Sequence, residues 1–374
     1  MAPFDAPAFA ATMRHYCTYF DSGFLIQGVA LWHSLQRHDP GSVLWVLALD
    51  EEAALALERI GSATLRVARL SDLEAADQEL AAVKTGRSRA EYIFTLSPCL
   101  PRWLLRTHSA LERIVYLDAD VLLWGPPDRI YPGQCCPGAH VVITAHRFPS
   151  WAGYLEQHGR FNVGVQVFAN TPEAHAVLDD WRSRCLEWCY DRLEGDRYAD
   201  QKYLDAWPER FGPVVGVLED PGVNLAPWNW MAHQCEVDMD GEVRVDGRPL
   251  VLFHFARFRP LAGSWFWQSG QLQYGVMPWS LRQAIYGVYW QALEEARREL
   301  ARCGLDRAMP VRATRAGDLS MGGWLLRLVC GSDWVRIGSR FFSCRLGLGR
   351  YSGRVLAWRA RHAESTSRTA GSGK

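Results

Sequence analysis

The chain has 374 residues, 48% of them hydrophobic, and its 41 basic and 41 acidic side chains give a formal net charge of zero. This is enough apolar material for a packed core in one large or two small domains, so a globular fold is expected. No apolar run approaches the roughly 18 residues of a membrane span, and the N-terminal stretch carries Asp5 and prolines in place of a basic start and an apolar core; a cytoplasmic chain is expected.

Taken in order, the first half alternates strands and helices. Tyr16–Phe20 reads as a strand, and Asp21 or Ser22 can cap a helix with apolar face Leu25, Val29, Trp32 and Leu35, stopped by Asp39-Pro40-Gly41. Val43–Leu49 is continuously apolar, as a strand buried on both faces must be, and is followed by a helix over Glu51–Ile60 and a strand at Leu65–Leu70. Helices over Asp72–Val83 and Ala90–Arg106 lead into a strand at Arg113–Leu117. Further strands are predicted at Val141–Ala145, Val163–Phe168, Val214–Leu218 and Leu250–Phe255, with helices over Pro172–Cys189 and Ala199–Ala206. A long helix from Leu281 to Cys303 carries Ile285, Val288, Tyr289, Leu293 and Leu300 and a Glu294/Arg298 pair, and Gly304 closes it. The prediction is an α/β protein whose mostly parallel sheet, flanked by helices, binds ligands beyond the carboxyl ends of its strands.

One such end is chemically distinctive. Arg113–Leu117 runs straight into Asp118-Ala119-Asp120, two carboxylates one residue apart. Hard cations such as Mg²⁺ and Mn²⁺ take oxygen ligands, commonly one or two carboxylates together with substrate phosphates, so a nucleotide substrate is implied. Spacing alone is weak: Asp238-Met239-Asp240 has it too, but lies among polar residues before Gly241 and Val243–Val245, as a hairpin turn does. The strand context gives the first motif its weight.

The order of parts resembles the GT-A-fold nucleotide-sugar glycosyltransferases, most closely family 8 and its bacterial relatives: Tyr116-Leu117-Asp118-Ala119-Asp120, then Phe161-Asn162-Val163-Gly164-Val165, Asp200-Gln201, and His254 at the end of an apolar run. The resemblance spans roughly residues 14–270. It implies that Asp118, Asp120 and His254 hold Mn²⁺ or Mg²⁺ bridging the diphosphate of a UDP-sugar, that Ala119 and Asn162 line the donor site, and that Asp200 and Gln201 act at the reacting sugar. It also implies transfer to an acceptor hydroxyl with retention; in an inverting reaction Asp200 would be the base. Thr18 and Tyr19 end the first strand, where the family places nucleobase contacts. Family 8 members commonly follow the late His with Gly and Lys-Pro-Trp, whereas this chain has Ala256-Arg257-Phe258-Arg259-Pro260, so Arg257 or Arg259 would supply the phosphate-facing cation.

Simpler readings stand beside these. His254 can be a core histidine, Gly164 can merely allow close backbone approach, Asp200 can cap a helix, and Tyr19 can be packing. Arg87 and Arg89, near a helix start, can touch a diphosphate or form an exposed basic turn. Trp228 and Trp230 are candidate sugar-stacking platforms. The ten cysteines lack paired Cys-x-x-Cys spacing, Cys185 and Cys189 lack zinc partners, and buried reduced thiols are expected.

The zero net charge hides an asymmetry. Residues 311–374 hold 12 Lys and Arg against 3 Asp and Glu, leaving 29 against 38 in residues 1–310. The basic tail interleaves Trp324, Trp334, Phe341, Phe342, Tyr351 and Trp358, a composition suited to an anionic membrane surface or to a flap on the acidic body; nucleic acid is the weakest candidate. The expected division is a transferase domain over 1–270, a helical extension over 271–310 and this tail, disordered at its end. The acceptor expected is a glycan, a lipid-linked sugar or a protein. The rival reading is a non-catalytic scaffold of the same fold held at the membrane by its tail. A sugar nucleotidyltransferase is disfavoured by the missing N-terminal glycine-rich loop.

Overall fold

The computed structural model describes residues 13–258 and 274–305 with their side chains, and beyond these only the strand segments 259–261, 266–268, 334–337 and 340–342. The side chains of the aromatic residues singled out in the basic tail, and that of Arg259, lie outside the described residues.

Seven strands form the central sheet: β1 (His15–Phe20), β2 (Val43–Ala48), β3 (Leu65–Arg69), β4 (Arg113–Leu117), β6 (Val141–Ala145), β7 (Phe161–Ala169) and β8 (Val215–Leu218), with β5 (Val121–Leu123) lying outside it. Their order is β3-β2-β1-β4-β7-β6-β8, and β7 alone runs antiparallel to its neighbours. The expected α/β class, a mostly parallel sheet flanked by helices, is therefore the one observed.

The interior strands β2 and β4 are almost wholly apolar because both faces are covered, whereas the edge strand β3 carries Arg66 and Arg69. In β4, Val115 and Leu117 belong to one core with the helices Leu25–His38 and Val288–Arg302, while Ile114 and Tyr116 belong to another with Arg89–Thr107 and Pro172–Glu187. This is the period-two alternation of a doubly covered strand. Strand order reverses between β1 and β4, and crevices at such a reversal are where open sheets bind ligands.

Several expectations change. The helix predicted over Asp72–Val83 is two, Leu70–Ala76 and Gln78–Val83, because Asp77 leaves helical geometry to accept from Leu80 N at 3.0 Å and to pair with Arg182. The long late helix contains a π-helical turn, Gln283–Gly287; Val288 is exposed, and the Glu294 carboxylate pairs with Arg297 while Arg298 reaches only the Glu294 carbonyl. The run Leu250–Phe255 does not join the main sheet: only Leu252–His254 (β9 here) is a strand, and it pairs antiparallel with β5. The decoy at Asp238 and Asp240 is the expected hairpin turn, with Asp238 accepting from the Asp240 and Glu242 amides. All eight described cysteines are free, but only Cys17, Cys99, Cys185 and Cys189 are buried; the other four are half-exposed.

Candidate active site

The carboxyl ends of β1, β2 and β4 open into a cleft of about 600 Å³, whose lining includes Tyr19, Asp21, Arg89, Asp118, Ala119, Asp120, Asn162, Asp200, Gln201 and His254. Backbone hydrogen bonds bring its far-apart segments together. Asp118 N donates to Gly164 O at 3.0 Å, and Phe255 N donates to Asp120 O at 2.8 Å. The two acidic residues are thus tied to β7 on one side and to the segment carrying His254 on the other.

The result is a three-donor cluster. One ligand atom from each of Asp118, Asp120 and His254 lies within 4.8 Å of the others. His254 Nε2 stands 3.2 Å from Asp120 Oδ1 and 3.6 Å from Asp118 Oδ2. Two carboxylates and one imidazole suit Mn²⁺ or Mg²⁺ by donor type and by proximity, and substrate oxygens can complete such a set. The electrostatics agree. Burial pushes the Asp118 carboxyl up, opposed by His254 and reinforced by Asp120. Burial works against protonation of His254, yet the Asp120 and Asp118 carboxylates outweigh it and raise its pKa. A positive charge is favoured between these acids, and a bound cation would meet the same field.

Behind the cluster a polar network crosses to Asp200. Tyr116, two residues before Asp118 on the same strand face, donates to Asp118 Oδ1 at 2.8 Å. The Tyr19 hydroxyl lies 2.9 Å from Ser97 Oγ, and Ser97 donates to Asp200 Oδ2. Tyr19 and Tyr116 pack with ring centroids 5.6 Å apart. Asp200 is 3% exposed. Burial drives its pKa up to about 7 against the opposing hydrogen bonds from Ser97 and backbone amides, with the charge of Asp118 adding to the rise. Gln201 donates from Nε2 to His158 O at 2.8 Å, and its amide oxygen has no bond among the described residues.

Asp200 is not a helix cap. The turn Lys202–Ala206 begins after Gln201 without a side-chain cap, and Ala199 sits in the left-handed region at φ 47°. That strained residue turns Asp200 away from helical geometry and toward Ser97. No sequence signal marks Ser97, which lies in mid-helix, and Tyr116 was quoted with the acidic motif but assigned no role, although strand periodicity puts it on one face with Asp118.

Other predicted residues fall elsewhere. Thr18 is fully buried and its hydroxyl has no partner among the described residues, so it is sealed in the sheet and does not line the cleft. Arg87 also points away: it donates to Leu186 O at 2.7 Å and to Thr95. Arg89 lines the cleft instead, paired with Asp21 at 2.7 Å. The difference follows from Ser88, which caps the helix Arg89–Thr107 and sends its two flanking arginines in different directions. Arg257 is exposed, in the left-handed region at φ 64°, just beyond His254; burial raises the pKa of Tyr198 and Tyr274, and the Arg257 charge stands close enough to offset part of that rise.

Asn162 lines the cleft, but its Oδ1 accepts from Gly164 N at 2.9 Å and from Asn224 Nδ2 at 3.0 Å. A Cβ on Gly164 would stand 2.5 Å from His254 Cε1, so this glycine is required by the imidazole lying on its backbone. Trp228 and Trp230 are 6% and 3% exposed, which excludes them as sugar-stacking platforms in this conformation.

No protein-family model matches the chain. Among solved structures it is similar to mouse xyloside xylosyltransferase 1 in its apo form, at 16% identity and TM-score 0.41 over 64% of this chain and 97% of that one. It is also similar to the galactosyltransferase LgtC in complex with donor and acceptor sugar analogs, at 14% identity and TM-score 0.43 over 81% and 98%. The apo form of the glycosyltransferase GlyE of Streptococcus pneumoniae TIGR4 matches at 15% identity and TM-score 0.44 over 78% and 63%. Two proteins of Bacillus subtilis (strain 168), YfnD and YfnF, both described as uncharacterized, are 31% identical to it over 247 and 251 residues. These matches cover 65% of this chain and 78% and 81% of the two relatives. The chain belongs to the family of YfnD and YfnF.

Proposed function

We propose that this protein is a GT-A glycosyltransferase that moves a sugar from a nucleoside diphosphate, UDP in the favoured reading, onto an acceptor hydroxyl. The observation that carries the reading is the meeting of Asp118 and Asp120 with His254, 134 residues further on from Asp120, in one cleft with Asp200 and Gln201. A core histidine or an idle turn would not require that convergence.

Asp118, Asp120 and His254 would hold Mn²⁺ or Mg²⁺, and the bound cation would supply Lewis-acid stabilisation of the diphosphate as it departs. Tyr116 holds Asp118 in place through its 2.8 Å hydrogen bond. The ionised Asp200 carboxylate, steadied by Ser97, stabilises positive charge developing at the anomeric carbon. The free amide oxygen of Gln201 orients sugar or acceptor hydroxyls. Retention is the proposed outcome, with the acceptor proton passing to the departing phosphate oxygen. Tyr19, Ala119 and Asn162 shape the donor site, Arg89 replaces Arg87 there, and Arg257 is the proposed phosphate-facing cation. The proposed domain is residues 1–270, with a helical extension and a basic tail beyond it. The acceptor is proposed to be a glycan, a lipid-linked sugar or a protein.

No helix among the described residues is long and apolar enough to cross a membrane. A cytoplasmic location, with the tail touching an anionic membrane surface, is part of the proposal. The scaffold alternative is not favoured, because it gives no role to the three-donor cluster. UDP release from a panel of UDP-sugars, measured with Mn²⁺ and with EDTA, tests the reading: EDTA-sensitive release abolished in Asp120→Asn supports it, and release from no donor overturns it.

A further inference from the structure

Metal-ligating histidines ordinarily fix their ring by donating the second N–H to a carboxylate or carbonyl. His254 lacks that device: its Nδ1 is buried and has no hydrogen-bond partner among the described residues. Something else must hold the imidazole with Nε2 toward Asp118 and Asp120.

Packing does so. On one side lies the backbone of Gly164, where an added Cβ would stand 2.5 Å from Cε1 and 2.6 Å from Nδ1. On another side is Trp228, its ring centroid 5.0 Å from that of the imidazole and its plane at 77°. The indole is itself fixed, since Trp228 Nε1 donates to His146 O at 3.0 Å. The loop that carries it is equally constrained. Asn229 Oδ1 accepts from Ala226 N at 2.8 Å, and its Nδ2 donates to the carbonyls of His146 and Asn224 at 3.0 Å each. Asn224 adopts φ 59° and ties the loop to Asn162 and Thr144. The same loop holds the His254 backbone, because His254 N donates to Leu225 O at 2.8 Å. Main chain and side chain of His254 are therefore both placed by residues 224–229.

We propose that Trp228 is a positioning residue for His254: its indole ring and the Gly164 backbone clamp the imidazole and so set the affinity of the three-donor site for a divalent cation. The inference rests on reading Asp118, Asp120 and His254 as that cation site. It gives the buried Asn224-Leu225-Ala226-Pro227-Trp228-Asn229 segment a role distinct from sugar stacking. An aromatic ring at position 228 suffices; the indole N–H serves only to anchor it.

The test is Mn²⁺ binding to the full chain, followed by the electron paramagnetic resonance of free Mn²⁺ with no donor present and hence no turnover. Loss of an outer contact to a metal-ligating histidine costs about 10- to 100-fold in affinity. Trp228→Leu, which keeps apolar bulk, is expected to weaken Mn²⁺ binding at least about tenfold at unchanged far-ultraviolet circular dichroism, and Trp228→Phe to restore it to within about threefold of wild type. Gly164→Ala is expected to weaken it as much as Trp228→Leu. If Trp228→Leu binds Mn²⁺ like wild type, or Trp228→Phe binds as weakly as Trp228→Leu, the clamp is overturned while the cation site stands. If Trp228→Leu does not fold, the comparison of Trp228→Phe with Gly164→Ala decides: near-native binding in the first and loss in the second supports the clamp, and any other pattern overturns it. If wild type itself binds no Mn²⁺ that Asp120→Asn removes, the cation reading fails and the clamp with it.

Discussion

Asp200→Asn should make the protein more stable at alkaline pH while destroying its proposed activity. Burial raises the Asp200 pKa to about 7, with the Asp118 charge adding to it. A carboxyl whose folded pKa exceeds its unfolded value binds its proton more tightly when folded. Its contribution to stability is complete below the unfolded pKa, falls as pH rises from about 4, and is lost once pH passes the folded value near 7. The interval of about three pH units corresponds to roughly 4 kcal/mol of folding free energy lost at pH 8, at about 1.4 kcal/mol per unit. Asparagine is neutral at every pH and escapes this loss. With an unfolding entropy of about 2.1 cal/mol/K per residue, roughly 4 kcal/mol over this chain is about 5 °C in Tm. The assay is differential scanning calorimetry of wild type and Asp200→Asn in EDTA from pH 4.5 to 8.5. About two of those three units lie above pH 5, so the variant should gain about 3 °C relative to wild type between pH 5 and pH 8. A difference that stays flat across that range would refute the claim that Asp200 is held at a cost in ionisation energy.

Three further outcomes follow from the same geometry. Ser97→Ala removes a hydrogen bond that favours the ionised Asp200, so the rise of activity with pH should move upward from about 7; a pH–rate profile identical to wild type would contradict this. Thr18→Val removes a buried, unpartnered hydroxyl, so stability should hold or rise by about 1 kcal/mol in urea unfolding, with the KM for donor unchanged; a raised KM would return Thr18 to the donor site. Asp77→Ala strips Leu80 N of its cap and Arg182 of its closest carboxylate, and should cost about 3 kcal/mol by the same unfolding measurement, against no change if the pair is ornamental.

Much of the architecture could be read from residue patterns because β2 and β4 are covered on both faces and leave continuous apolar runs. The short β5 escaped notice: three residues directly after Asp120 are too few to show a period, and its pairing with Leu252–His254 is set by tertiary contact. The same contact explains why His254, an ambiguous histidine in an apolar run, reaches the acidic motif. Asp200 and Gln201 were found as a pair, but the left-handed Ala199 that orients Asp200 was invisible, since alanine carries no preference for that geometry. Arg87 and Arg89 flank a single capping serine, and only the positions of Leu186, Thr95 and Asp21 decide which one faces the cleft. Trp228 and Trp230 looked like stacking platforms because tryptophan composition says nothing about burial; in the folded chain they are interior.

The central claim is that Asp118, Asp120 and His254 bind a nucleoside diphosphate through a divalent cation. Isothermal titration of UDP into the EDTA-stripped protein, with and without Mn²⁺, tests it most directly. The account predicts UDP binding that needs Mn²⁺ and is weakened at least about tenfold in Asp120→Asn, the scale of a lost metal contact. Equal UDP binding with and without Mn²⁺, or Mn²⁺-dependent binding undiminished in Asp120→Asn, would contradict it.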